Sequence, residues 1–258
     1  MSGLKAIIDA LEPIEGGWRG SIPANWLQGR TCYGGVSAAL ALHAAQLSDV
    51  DLPPLRSALV AFVGPLSGDV TIRATRLRRG RNAAFVQADV ESEAGLGLRA
   101  TFVFMGAVPS TVDYQVGAAP DFPVPGPDDQ TFKGHSAVSF TQNFELLDRR
   151  DASVGAAEWL RWVRLNEREG LDPMVELIAV ADCLPPAALK LIGGPAPVSS
   201  MTWQLNLLGA APVTRDGWWL LRATADYAKD GSSSQQMAIW NADGLPIAEQ
   251  MQSVAIFA

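Results

Sequence analysis

The sequence is poor in the side chains that most often carry metal and redox chemistry. Its 258 residues include two cysteines, Cys32 and Cys183, and two histidines, His43 and His135. Two cysteines so far apart form neither a disulfide framework nor a zinc-binding spacing. Two histidines in these positions exclude the H-E-x-x-H metalloprotease pattern. There is no G-x-S-x-G nucleophile elbow, no P-loop and no complete G-x-G-x-x-G. No apolar run is long enough to cross a bilayer. Asp9 and Glu12 interrupt the N-terminal stretch where a signal peptide needs an unbroken apolar core, so the expectation is a cytoplasmic protein without a membrane partner. A basic excess is also lacking. Lys and Arg number 20 against 27 Asp and Glu, for a net charge of -7, which disfavours a nucleic-acid partner. Chemistry in this chain therefore falls to Asp, Glu, Gln, Ser and Thr, with no metal or cofactor expected.

Apolar residues are plentiful, at 48%, and charged residues make up 18%, as in a folded globular chain. The clearest punctuation is residues 107–135, where Pro109, Pro120, Pro123, Pro125 and Pro127 stand among Gly and Asp. A long segment without helical or strand periodicity reads as a connection between two halves. Each half reads as a helix followed by four strands. In the first, Tyr33-Gly34-Gly35 opens a helical run to about Leu47, with strands near 55–66, 69–79, 82–92 and 97–106. In the second, a strand-like segment at 137–147 and a Trp-rich stretch at 159–164 precede a helical run from Asp172-Pro173 to about Ile192. Asp172 suits an N-cap, Pro173 the first helical position and Gly193-Gly194-Pro195 the end. Strands follow near 199–208, 217–228, 234–241 and 246–257. Ile72-Arg73-Ala74-Thr75 echoes Leu221-Arg222-Ala223-Thr224, and Gly95-Leu96 echoes Gly244-Leu245 at the same offset, which points to duplication.

Few positions stand out as carriers of chemistry. Asp182 lies in the apolar run Met174–Leu184, and a carboxylate there needs a partner whether its role is structural or functional. On the last strand, alternation puts Gln250, Gln252 and Val254 on one face and Met251 and Ser253 on the other. At the echo's offset Gln252 falls on Val103, so the polar group belongs to the second half alone. Ser199, Ser200 and Thr202 enter the strand after the second helix, where their hydroxyls can orient a water or simply make a turn. Gly34 and Gly35 open a helix, where backbone N–H groups can meet an oxyanion, or where glycine only permits close packing. Arg73, Arg76, Arg78, Arg79 and Arg81 form the basic cluster, scattered over both faces of a hairpin around Gly80.

Taken together, several short motifs in order resemble the acyl-CoA thioesterase II-like family of double hotdog proteins. In the first half these are Trp18-Arg19-Gly20, Tyr33-Gly34-Gly35 and the Ala/Leu helix after it, residues 62–65 and residues 77–82. In the second they are Ala179-Val180-Ala181-Asp182, the strand from Ser199 to Leu208 and Ile247–Gln252. The family's His-Arg-Pro at the end of that strand is replaced by residues 206–210. The resemblance implies an α+β double hotdog: an N-terminal unit at 1–106, a linker at 107–135 and a C-terminal unit at 136–258. It implies hydrolysis of acyl-CoA to free acid and CoA, at a site where the halves meet. Asp182 and Gln252 match the family's Asp and Gln that bind the hydrolytic water. Ser199 most nearly matches its hydroxyl, with Thr202 as rival, and the Gly34 and Gly35 amides would face the oxyanion. The implied partner is acyl-CoA, and a homodimer is left open. The reading from another class is an acyl-CoA-binding protein without turnover; a hotdog dehydratase fits less well, because no His/Asp pairing is evident.

Overall fold

The computed structural model describes residues 2–151, 154–194, 196–209 and 211–257. The chain opens with helix α1 (Leu4–Asp9), strands β1 (Glu12–Ile14) and β2 (Gly17–Ile22), and a small ladder of β3 (Leu27–Gln28) with β4 (Thr31–Cys32). Helix α2 (Gly34–Leu47) follows, and then β5 (Leu55–Phe62), β6 (Gly68–Arg79), β7 (Ala83–Ser92) and β8 (Gly95–Met105). The second half has β9 (Phe144–Asp148), β10 (Glu158–Leu165), helix α3 (Pro173–Ala181), β11 (Val198–Leu207), β12 (Trp219–Lys229), β13 (Ser232–Asn241) and β14 (Pro246–Ile256).

Twelve of these strands form one antiparallel sheet, in the order β1-β2-β6-β7-β8-β5-β11-β14-β13-β12-β10-β9. The order is palindromic in kind. Outward from the β5–β11 seam come β8, β7, β6, β2 and β1 on one side, and β14, β13, β12, β10 and β9 on the other. The duplication is therefore built into the sheet. Ile72 pairs with Val90 in the first half just as Leu221 pairs with Ile239 in the second. From those positions, Val90 pairs with Leu98 and Ile239 with Ala248. The second turn is thus one residue longer than the echo suggested. Gln252, opposite Gln235, accordingly corresponds to Phe102, opposite Val86, and not to Val103. Both first-half counterparts are buried and apolar.

The helices form because their sequences allow nothing more exposed. In α2, residues 35–42 with Ala44 and Ala45 are buried, as expected of a helix apolar on nearly every side. It lies against β6, β7 and β8, and packs on α3. Asp172 caps α3: its Oδ1 accepts the N–H groups of Met174 and Val175 at 3.0 Å, and Pro173 occupies the first turn. The two helices run antiparallel. Tyr33, before α2, donates its hydroxyl to Ala179 O near the end of α3 at 2.8 Å. At the other end Gln46 Nε2 approaches Asp172 Oδ1 at 3.3 Å.

Helix α3 stops at Ala181 rather than near Ile192. Pro185 and Pro186 lack N–H groups and push the residues before them out of the α region. The chain resumes as a short 3-10 turn over Ala187–Leu191. Gly193 and Gly194 follow that turn, and Pro195 lies outside the described residues. The segment expected as a strand at 137–147 divides into a 3-10 turn, Ser139–Asn143, and β9.

The Pro-rich stretch packs as a strap. Ala119, Phe122 and Val124 cover an apolar cluster of Leu160, Trp162, Trp218, Leu220 and Trp240 on the outer face of the second half's sheet. The indole N–H groups anchor it: Trp162 donates to Phe122 O at 3.2 Å and Trp240 to Gly117 O at 2.7 Å. No helix among the described residues is long and apolar enough to cross a membrane.

Candidate active site

Because α3 ends where it does, Asp182 is its C-cap and not a mid-helix residue. Its side chain points to the opening turn of α2. A Cβ on Gly34 would come within 2.5 Å of Asp182 Oδ2 and 2.9 Å of the Phe62 ring. A Cβ on Gly35 would come within 2.6 Å of Ala179 O and of the Tyr33 hydroxyl. Glycine at both positions is thus a condition of the contact between helix start and carboxylate. The Gly35 N–H bonds toward Asp182. Gly34, at the first position of α2, carries an N–H that finds no acceptor within its helix. Of the two amides expected to face an oxyanion, one is already engaged by the carboxylate.

Gln252 supplies the second bond. Its Nε2 donates to Asp182 Oδ1 at 2.5 Å. Its Oε1 accepts from Gln235 Nε2 at 2.8 Å, and Gln235 Oε1 accepts the Ala187 N–H at 2.9 Å. This relay fixes the amide orientation: with Gln252 Oε1 held by a donor, its N–H must face the carboxylate. Gln235 escaped the sequence reading, although the pattern carried a signal. On β13 it alternates with Met237 and Ile239, so it is a polar residue on an apolar face. Gln250, one turn of the pleat away, is engaged elsewhere, accepting from Trp203 Nε1 at 2.8 Å, and Glu249 is exposed.

Burial dominates the electrostatics of Asp182. It pushes the carboxyl up from 3.8 to about 7, against the lowering effect of the Gln252 and Gly35 hydrogen bonds. Cys183, next in the chain, is pushed up to about 12 by burial, and so is Cys32. Both remain thiols at neutral pH and are poor nucleophiles.

The hydroxyls sort by strand register. On β11, Trp203 pairs with Gln252 and Ser200 with Val254, and the register shifts by one residue between Ser200 and Thr202. Strict alternation back from Trp203 would turn Ser199 inward; the bulge at Met201 turns Ser200 inward instead. Ser200 therefore shares the face of Gln252. Ser199 pairs with Ala255 and is exposed, and Thr202, opposite Ser253, faces out.

Asp182 stands where two cavities meet. One, of about 300 Å³, is lined by Thr31, Gly34, Ser37, Phe62, Ser199 and Ser200 among others. The other, of about 610 Å³, is lined by apolar groups such as Phe132, Val138, Phe140, Leu184 and Leu189, together with Gln252 and Arg161. Gln28, Asp182, Val198 and Ser200 line both. Nothing in the sequence pattern marked Gln28. No cluster of His, Cys, Asp and Glu suited to a metal occurs among the described residues.

Comparison with known proteins agrees with this architecture. Residues 22–105 match the acyl-CoA thioesterase N-terminal domain, and residues 117–256 match the acyl-CoA thioesterase C-terminal domain. No curated protein matches the sequence. Among solved structures, a conserved hot dog fold protein of Alicyclobacillus acidocaldarius is 22% identical, with a TM-score of 0.86 over 100% of this chain and 99% of that one. The tesB protein of Mycobacterium avium subs paratuberculosis is 17% identical, with a TM-score of 0.80 over 99% and 98%. An acyl-CoA thioesterase II, TesB2, of Mycobacterium marinum is 17% identical, with a TM-score of 0.76 over 99% of each chain. Likeness at such identity establishes the α+β double hotdog, and the two domain matches, in order and over most of the chain, establish the lineage: this chain belongs to the acyl-CoA thioesterase family.

Proposed function

We propose that the protein hydrolyses acyl-CoA thioesters to free acid and CoA, with Asp182 as general base to a water held by Gln252 and the Ser200 hydroxyl. The two hotdog units would be residues 1–106 and 136–258, joined by 107–135. The observation that carries this reading is Asp182 itself, a buried carboxyl raised to about 7 and fixed by Gln252 at the junction of two cavities. A base with that affinity for protons is half ionised near neutral pH, where proton transfer in both directions is accessible. The acyl chain would occupy the larger apolar cavity, and the pantetheine arm of CoA the smaller polar one. Water attacks the thioester carbon and its proton passes to Asp182. The Gly34 N–H, at the positive end of α2, faces the developing oxyanion. The C–S bond then breaks, and the CoA thiolate takes the proton back from Asp182. No covalent intermediate is needed.

Release of free thiol from a series of acyl-CoAs of different length tests the reading. Binding without thiol release would select the acyl-CoA-binding alternative. Serine variants test the placement of the hydroxyl. Ser200→Ala lowers kcat by about 3- to 10-fold, the worth of one neutral hydrogen bond, and Ser199→Ala leaves it unchanged. The reverse ranking, in steady-state rates on one thioester, would return the role to Ser199.

A further inference from the structure

The larger cavity contains a residue that hydrolysis does not use. Arg161 lies on β10, and its alternation partners Val163 and Leu165 are buried in the main core, while Leu160 and Trp162 face the strap on the other side. Arg161 therefore points inward, to the helix side of the sheet. It is 7% exposed and lines the same cavity as Asp182 and Gln252. An inward guanidinium on a face otherwise built from Val, Leu and Trp is costly to keep unless something uses it.

Its protein partners leave it unsaturated. The hydrogen bond it makes among the described residues runs from Nε to Asp148 Oδ1. Its carbon centre sits 5.7 Å from the Phe132 ring and 5.2 Å from the Trp159 ring. The forked terminal nitrogens have no acceptor among the described residues. Asp148 is shared, since it also pairs with the exposed Arg150 at 3.6 Å. Lys190 Nζ, 5.1 Å from the Trp159 ring, is taken up by the backbone carbonyls of Gly155 and Glu158, and Trp159 Nε1 is buried with no hydrogen-bond partner among the described residues.

We propose that Arg161 binds a carboxylate at the far end of the acyl chain, so that the preferred substrate is the CoA thioester of a dicarboxylic acid. This rests on the reading of the larger cavity as the acyl site. A carboxylate matches the free fork of the guanidinium in shape and charge. The apolar groups that line the same cavity as Arg161 and Asp182 suit the methylenes that join the two ends.

The test compares hexanoyl-CoA with adipoyl-CoA, first as non-hydrolysable analogues in which methylene replaces the thioester sulfur. Calorimetry on the wild type should show the carboxylate analogue binding about 10- to 100-fold more tightly, the range for hydrogen bonds to a charged group. Arg161→Met should abolish or invert that preference, and Arg161→Lys should retain part of it. If Arg161→Met fails to fold because Asp148 is left without its inner partner, the pair Arg161→Met with Asp148→Asn removes both charges and serves instead. Equal binding of the two analogues by the wild type, or a preference unchanged by loss of Arg161, overturns the inference and leaves Arg161 a structural partner of Asp148. The hydrolysable thioesters are assayed in parallel. Turnover of neither contradicts the hydrolase reading alone, since the binding comparison still decides the role of Arg161.

Discussion

Asp182→Asn lowers the kcat for acyl-CoA hydrolysis by about 10²- to 10⁴-fold, the usual worth of a general base, and at the same time stabilises the fold above neutral pH. The two effects have one cause. Burial raises the carboxyl from 3.8 to about 7, so the folded protein holds this proton more tightly than the unfolded chain does. Folding stability contributed by the protonated form is complete below pH 3.8, declines as pH rises, and is lost once pH passes about 7. Above that point the ionised carboxylate costs about 4 kcal/mol relative to an unperturbed one, at 1.36 kcal/mol for each factor of ten. Asparagine cannot ionise and keeps the oxygen that Gln252 bonds. Its other terminal atom is an NH2 donor in place of a carboxylate oxygen, so the Gly35 N–H loses an acceptor, at about 1–3 kcal/mol. The net expectation is a gain of about 1–3 kcal/mol near pH 8 by denaturant unfolding, shrinking as pH falls. Lower activity with higher stability marks a group kept for chemistry rather than for the fold. A variant both inactive and destabilised near pH 8 would mark Asp182 as structural.

Gln252→Leu has the next largest effect. Leucine removes the donor that fixes Asp182 and pulls its proton affinity down. It also leaves Gln235 Nε2 without the acceptor it has at 2.8 Å. Loss of a hydrogen bond to a charged group lowers kcat by about 10- to 100-fold, and the apparent pKa governing activity moves upward. Part of the lost rate therefore returns at alkaline pH. Gln235 bonds Gln252 and not Asp182, and rates measured across pH distinguish the two roles expected of Gln252, orienting and tuning. A Gln252→Leu enzyme with the wild-type rate and pH dependence would remove Gln252 from the site.

How far the sequence disclosed this molecule depends on how local each signal is. Two helices and eight of the long strands followed from apolar periodicity, and the N-cap at Asp172 from residue type. Asp182 was visible because a carboxylate in an oily run is anomalous wherever the helix ends. The true end, at Ala181, was written in Pro185-Pro186, but the downstream Gly193-Gly194 offered a competing stop. The palindromic sheet order was foreshadowed by the echo between residues 72–75 and 221–224; the one-residue lengthening of the second turn was not, and it moved the counterpart of Gln252 from Val103 to Phe102. The inward hydroxyl was hidden for a similar reason. A bulge has no strong local signature, and one extra residue exchanges the faces of Ser199 and Ser200. Gln235 and Arg161 lay in plain alternation with apolar neighbours, where a polar residue on a buried face is the clue.

If a carboxyl poised near neutrality delivers the hydrolytic water, the pH dependence of kcat/KM on a good thioester substrate shows it without intermediaries, since that ratio reports the free enzyme. The rate should rise about tenfold per pH unit on the acid side and level off near the Asp182 value of about 7, with this limb absent from Asp182→Asn. A profile that is flat through neutrality, or the same limb persisting in Asp182→Asn, would contradict it.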